Sequence, residues 1–206
     1  MENRLPQEIL EARKTEYNVH PLILSRWSPR AMTGEPIDRD LLMSLFDAAR
    51  WAPSSYNAQP WRFIYAHQNT PQWNTLFSLL VPFNQEWARR AGALVLIISY
   101  KIFEHTQKVA VTHSFDTGAA WAYFALQGHI NQLVVHGMQG FNYRQARKVC
   151  QVPEDYQIEA MAAIGKRGKR EDLRKDMREK EFPSQRKPLN EITMEGTFHT
   201  SSRLRS

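Results

Sequence analysis

Ala48-Ala49-Arg50-Trp51-Ala52-Pro53-Ser54-Ser55-Tyr56-Asn57-Ala58-Gln59-Pro60-Trp61 sets a helix end, a polar loop and a strand start side by side. Upstream, Asp38 is suited to N-cap a helix over residues 39–51, because Leu41, Leu42, Leu45, Phe46 and Ala49 share one face at helical spacing. Pro53 stops that helix. The loop beyond it is dense in hydroxyl and amide groups and runs into a strand expected over 61–66. Composition alone makes APSSYNAQP a polar connector.

Outward from this segment the chain alternates helices and strands. A polar helix or arm is expected over 1–20, followed by the loop SRWSPRAMTGEPI, broken by Pro29, Gly34 and Pro36. Short helices over 71–80 and 84–90 lead into an apolar strand over 93–99. The longest helical pattern covers 112–136, apolar or small on several sides, as suits a helix at a subunit interface. His136 is then expected at a helix C-terminus near carbonyl groups, with a place lining a substrate pocket as the alternative. A turn at 137–141, a short helix at 143–150 and a strand over 157–164 complete the core. From residue 169 onward a charged helix and an extended tail, PSQRKPLNEITMEGTF, are expected. The pattern predicts one α+β domain over residues 1–206. The tail is too polar to form its own core, so it is expected to lie against a partner subunit.

The bulk numbers exclude several classes. Hydrophobic residues at 42% and charged ones at 23% are ordinary for a globular chain of 206 residues. The single Cys150 excludes an intramolecular disulfide and any multi-cysteine metal or iron–sulfur site; it reads as a structural thiol. The opening stretch MENRLPQEILEARK carries no apolar signal core, and the longest apolar run, 93–98, is far too short to span a bilayer. A cytoplasmic protein without membrane association is therefore expected. Much of the net +6 charge falls between Lys166 and Asn190, where ten Lys/Arg face five Asp/Glu without interleaved aromatics. That is a poor match to a nucleic-acid surface and a better one to a solvated segment with arginines for a small anion.

No GxGxxG, GxxxxGK[ST] or GxSxG motif occurs, and the seven histidines form no HxH or HxxxH pair. Any enzymatic chemistry must then come from a cofactor. One segment suits an anion: Arg26-Trp27-Ser28-Pro29-Arg30 puts two guanidiniums around a hydroxyl in a proline-stiffened loop. A surface loop with incidental arginines is the equal alternative on this segment alone.

Taken together, RWSPR, AARWAPSSYNAQPWRF, SFDTGAA, HGMQGF and RKPL resemble the nitroreductase family in content, order and spacing, over roughly residues 21–198. The resemblance implies a nitroreductase-like fold: a central antiparallel or mixed sheet flanked by helices, with a long helix at a homodimer interface and a tail over the partner. It also implies FMN held between two subunits. Arg26, Trp27 through its backbone, Ser28 and Arg30 would hold the phosphate and pyrimidine end, with Arg186 or its neighbour Lys187 closing on the phosphate. Pro53, Ser54, Ser55 and Asn57 would reach the flavin from the other chain. Asn84 would meet the flavin pyrimidine, whose edge suits an amide, and Gln139 and Gly140 would supply backbone beside N5. Where some members carry a lysine, this chain has Trp87, which bears on the redox potential. The implied reaction is ping-pong hydride transfer from NAD(P)H to a nitroaromatic, quinone or similar small acceptor, with no catalytic side chain. A non-enzymatic FMN-binding or sensor protein, and dehalogenation or flavin cleavage on the same scaffold, are the alternatives.

Overall fold

The computed structural model describes residues 5–198. By contacts the chain falls into two units: a central one, Ser28–Glu181, and a terminal one formed by residues up to Trp27 together with those from Phe182.

The central unit is built on four strands: β1 (Trp61–His67), β2 (Ala93–Tyr100), β3 (Leu133–Met138) and β4 (Tyr156–Lys166). They form one sheet in the order β1-β2-β4-β3, every neighbouring pair antiparallel. β2 lies inside the sheet and is buried along nearly its whole length, which is why its sequence is a continuous apolar run. Its residues alternate between two cores. Ala93, Val95 and Ile97 join one cluster with Leu42, Leu45, Ala49 and Phe124. Leu94, Leu96 and Ile98 join the other, with Trp73, Leu76 and Trp87. The sheet thus carries helices on both faces.

On the first face lie α3 (Arg39–Arg50) and α6 (His113–Ile130), packed against each other. Asp38 caps α3 as expected, accepting from the amides of Asp40 and Leu41 at 2.9 and 3.1 Å, and Trp51 closes it. On the second face lie α4 (Pro71–Ser78), α5 (Pro82–Ala88) and α7 (Tyr143–Val149), the first two each opened by a proline at the start. Among its described residues the terminal unit contains only short helices: α1 (Gln7–Ala12), α2 (Pro21–Ser25) and α9 (Leu189–Ile192).

Two expectations need correction. The helix expected over 112–136 ends at Ile130; Asn131 caps it, Gln132 turns the chain with φ of 60°, and residues 133–138 form β3. The apolar run LVV fits a helix and a strand equally, and its β-branched valines take the strand once β4 offers a partner. His136 is accordingly a strand residue: its Nδ1 donates to the Pro29 carbonyl at 2.8 Å, and its ring packs on Trp87. The charged helix expected after residue 168 is also broken. It becomes a 3-10 turn at Arg170–Asp172 and a single helical turn, α8 (Lys175–Arg178). Leu173 and Met177 are buried, and Arg174 pairs with Glu86 and Asp176, so the segment follows these contacts rather than a single helix axis.

Candidate functional site

The loop after α3 is held in an unusual backbone conformation. Tyr56, Asn57 and Gln59 all lie at positive φ, between 46° and 53°, although none is glycine. Left-handed backbone is costly for such residues and persists only where the surroundings over-determine it. Here the Ser54 hydroxyl accepts from the Gln59 amide at 3.0 Å, and its carbonyl accepts from the Asn57 amide at 3.0 Å. The Ser55 amide donates to Asp116 Oδ2 at 3.1 Å, an oxygen that also accepts from the Thr112 hydroxyl. Asp116 is buried in the first turn of α6. Asp116 is a clamp on the Pro53–Ser54–Ser55 loop. Its motif, SFDTGAA, was visible, but its partner 61 positions away was not.

Tyr56 is exposed, and its ring meets those of Phe103 and His105 at 5.7 Å each. Phe103 and His105 belong to a short reversal between β2 and α6, closed by an isolated bridge between Ile102 and Val109. A cavity beside Asn57, Gln59, Arg62 and His105 adjoins this loop.

Asn84 and Gly140 are brought together from distant parts of the sequence. Asn84 Nδ2 donates to the Gly140 carbonyl at 3.0 Å, and Asn84 Oδ1 accepts from Trp87 Nε1 at 3.3 Å. The turn itself is tight, with the Phe141 amide donating to the Gln139 carbonyl. A Cβ on Gly140 would lie 2.6 Å from Asn84 Nδ2, so only glycine permits this approach. Trp87 is buried in the core and supports Asn84. After these bonds the Asn84 amide keeps one N–H and acceptor capacity for a ligand.

Ser28, Pro29 and Arg30 open the central unit. The amides of Arg30 and Ala31 both donate to the carboxylate of Glu181, at 2.8 and 2.9 Å to Oε1. Glu181 is 2% exposed and escaped the sequence reading. Arg30 lies over the Phe83 ring, and its Nε is buried without a hydrogen-bond partner among the described residues. Such an orphaned donor is costly unless something else accepts from it.

Arg26, Trp27 and Arg186 belong to the terminal unit. Arg26 and Arg186 line one cavity of about 570 Å³ together with Arg13, which lies in the stretch expected as a polar helix or arm. Burial, then the neighbouring Arg186, pulls the Arg26 guanidinium below its ordinary value. Burial, then Arg186 and Arg26, does the same to Arg13. Lys187 is in the same wall. Cationic groups this close ask for an anion.

Among the described residues no group of His, Cys, Asp and Glu is arranged to hold a metal, and no helix is long and apolar enough to cross a membrane. Burial pushes the Cys150 thiol up, in keeping with a structural thiol.

The model of the nitroreductase family matches residues 23–166. Among solved structures, a crystal structure of an oxidoreductase containing FMN is 41% identical, covering 92% of this chain and 97% of its own, with a TM-score of 0.88. Nitroreductase family proteins from Clostridium difficile 630 and Streptococcus pneumoniae TIGR4 share the fold at 22% and 17% identity. Their TM-scores are both 0.67, with 88% and 85% of this chain and 100% and 98% of theirs covered. No curated protein matched the chain.

Proposed function

This chain belongs to the nitroreductase family, and from that premise we propose that it is an FMN-dependent oxidoreductase using NAD(P)H to reduce a small acceptor such as a nitroaromatic or quinone. The observation that carries this reading is the convergence of Arg26 and Arg186 on one cationic cavity, since these residues suit the phosphate of FMN. When bound, FMN supplies two-electron chemistry in two half-reactions, hydride in from NAD(P)H and hydride out to the acceptor.

The residues present fit such a group. Among the described residues Arg30 Nε is buried without a partner, which leaves it able to donate to an anion. Within the terminal unit Arg26 and Arg186 would hold the phosphate, and Trp27 would contribute backbone. Pro53, Ser54, Ser55 and Asn57 sit on a loop whose strained backbone is fixed by Asp116, so their polar groups are pre-organised for the flavin. Asn84, held by Gly140 and Trp87, would pair with the pyrimidine edge, and Gln139 and Gly140 would bring main chain close. No side chain needs to move a proton for hydride transfer, so none is assigned as catalytic.

A homodimer is part of the same reading. The outer side of α6 exposes Phe115, Tyr123 and Ile130, and nothing lies within 4 Å of where a Gly118 Cβ would stand. Exposed apolar surface of this kind asks for cover, and a second copy with FMN at the interface supplies it.

The purified protein should be yellow and release FMN, not FAD, on denaturation. NAD(P)H should bleach the flavin anaerobically, and a quinone should then sustain NAD(P)H oxidation. Colourless protein that gains no flavin from added FMN would remove the reading. Flavin without turnover would leave a non-enzymatic FMN-binding protein.

A further inference from the structure

The arginines lining the terminal unit's cavity do not play equal parts. Arg13 spends its hydrogen bonds on the backbone that carries the others. Its Nη1 donates to the carbonyl of Leu24 and, at 2.8 Å, to that of Arg26; its Nε donates to the carbonyl of Ser184 at 3.2 Å. Arg186 Nη1 donates to the same Ser184 carbonyl at 3.2 Å and to the Ser184 hydroxyl at 2.9 Å. One guanidinium therefore ties the chain entering Arg26 to the chain entering Arg186, although 158 positions separate Arg26 from Ser184 in the sequence.

We propose that Arg13 is the positioning residue of the phosphate site, bracing the backbone beside Arg26 and before Arg186 so that both guanidiniums serve one phosphomonoester. This rests on the FMN reading and adds a residue to it. Three features of the cavity favour an anion over an empty cationic crevice. Neither Arg13 nor Arg186 is ion-paired with a carboxylate among the described residues. Lys14 and Lys187 add charge to the wall, against the single carboxylate of Glu16. Holding the guanidiniums together also costs repulsion, which a doubly charged phosphate offsets.

The positioning role depends on fork geometry rather than on charge. A guanidinium presents donors from separate nitrogens in a fixed plane, which lets it span carbonyls on two segments; a lysine ammonium is a point donor on a flexible stem. Arg13→Lys keeps the charge and loses the brace.

The test compares FMN with riboflavin, which lacks the phosphate, in wild type, Arg13→Lys and Arg13→Ala. The ratio of the two dissociation constants isolates the phosphate. In both variants the ratio should fall by about tenfold or more, as expected when charge-assisted bonds lose their geometry, while riboflavin affinity and melting temperature stay near wild type. A wild-type ratio in Arg13→Lys would overturn the proposal and leave Arg13 as a plain charge. Failure of both variants to fold would also overturn it, by assigning Arg13 to the fold.

The FMN reading fails separately, if wild type itself does not prefer FMN. Phosphorus NMR of added inorganic phosphate then decides the anion site alone. Binding to wild type but not to Arg13→Lys supports the brace, and equal or absent binding rejects it.

Discussion

Glu181 shows how a single buried carboxylate organises the start of the central unit. Its two oxygens take three hydrogen bonds from the amides of Arg30 and Ala31, at the point where the Arg26–Arg30 segment enters the fold. Removing it leaves two backbone donors unpaired, one of them on buried Ala31. Glu181→Ala should therefore destabilise the protein by about 2–4 kcal/mol, since each buried donor left unpaired costs about 1–3 kcal/mol. Glu181→Gln keeps one acceptor oxygen for both amides and should cost less, about 1 kcal/mol. Urea denaturation of the three proteins checks the order; a glutamine variant as unstable as the alanine one would mean that packing, not hydrogen bonding, holds the loop. Nothing in the sequence marks Glu181, because its partners lie 150 and 151 positions away and it sits among other charged residues.

Local signals carried well wherever one element decided its own state. Asp38 before an apolar helical face, and the unbroken apolar run of β2, state their structure within a few residues. Elements whose state depends on a distant neighbour did not carry. β3 is a strand because β4 pairs with it, and residues 133–138 alone suit either form. The site divides the same way: RWSPR and PSSYN were legible as motifs, whereas Arg13, Asp116 and Glu181 act on them from elsewhere in the sequence. Asp116 gives the clearest element-scale test, since it links α6 to the loop after α3. Asp116→Ala should free the Ser55 amide and let the loop relax from its left-handed backbone. Hydrogen exchange at that amide should then speed up by about tenfold or more, equivalent to about 1.4 kcal/mol of lost protection. Exchange unchanged from wild type would place the restraint in the Ser54 bonds alone.

Scaled to the whole molecule, the proposal is that flavin binding and dimer formation are one event. α6 leaves Phe115, Tyr123 and Ile130 uncovered beside an exposed Gly118, a surface that a second copy can close by two-fold symmetry. In the proposed assembly the Arg26 side of one chain and the Ser54–Ser55 side of the other meet at the same FMN, so neither chain owns a complete site. An inactive Arg26→Ala chain paired with a chain inactivated in the loop around Ser54, Ser55 and Asn57 then places both lesions in one site and neither in the other. Verified heterodimers should regain up to about half the wild-type activity per dimer, as isologous symmetry requires. Two homodimers mixed without exchange should stay inactive, which separates complementation from leakage. A heterodimer without activity, or a monomer holding FMN one to one, would put the whole flavin within a single chain. The exposed side of α6 would then need a different partner to account for it.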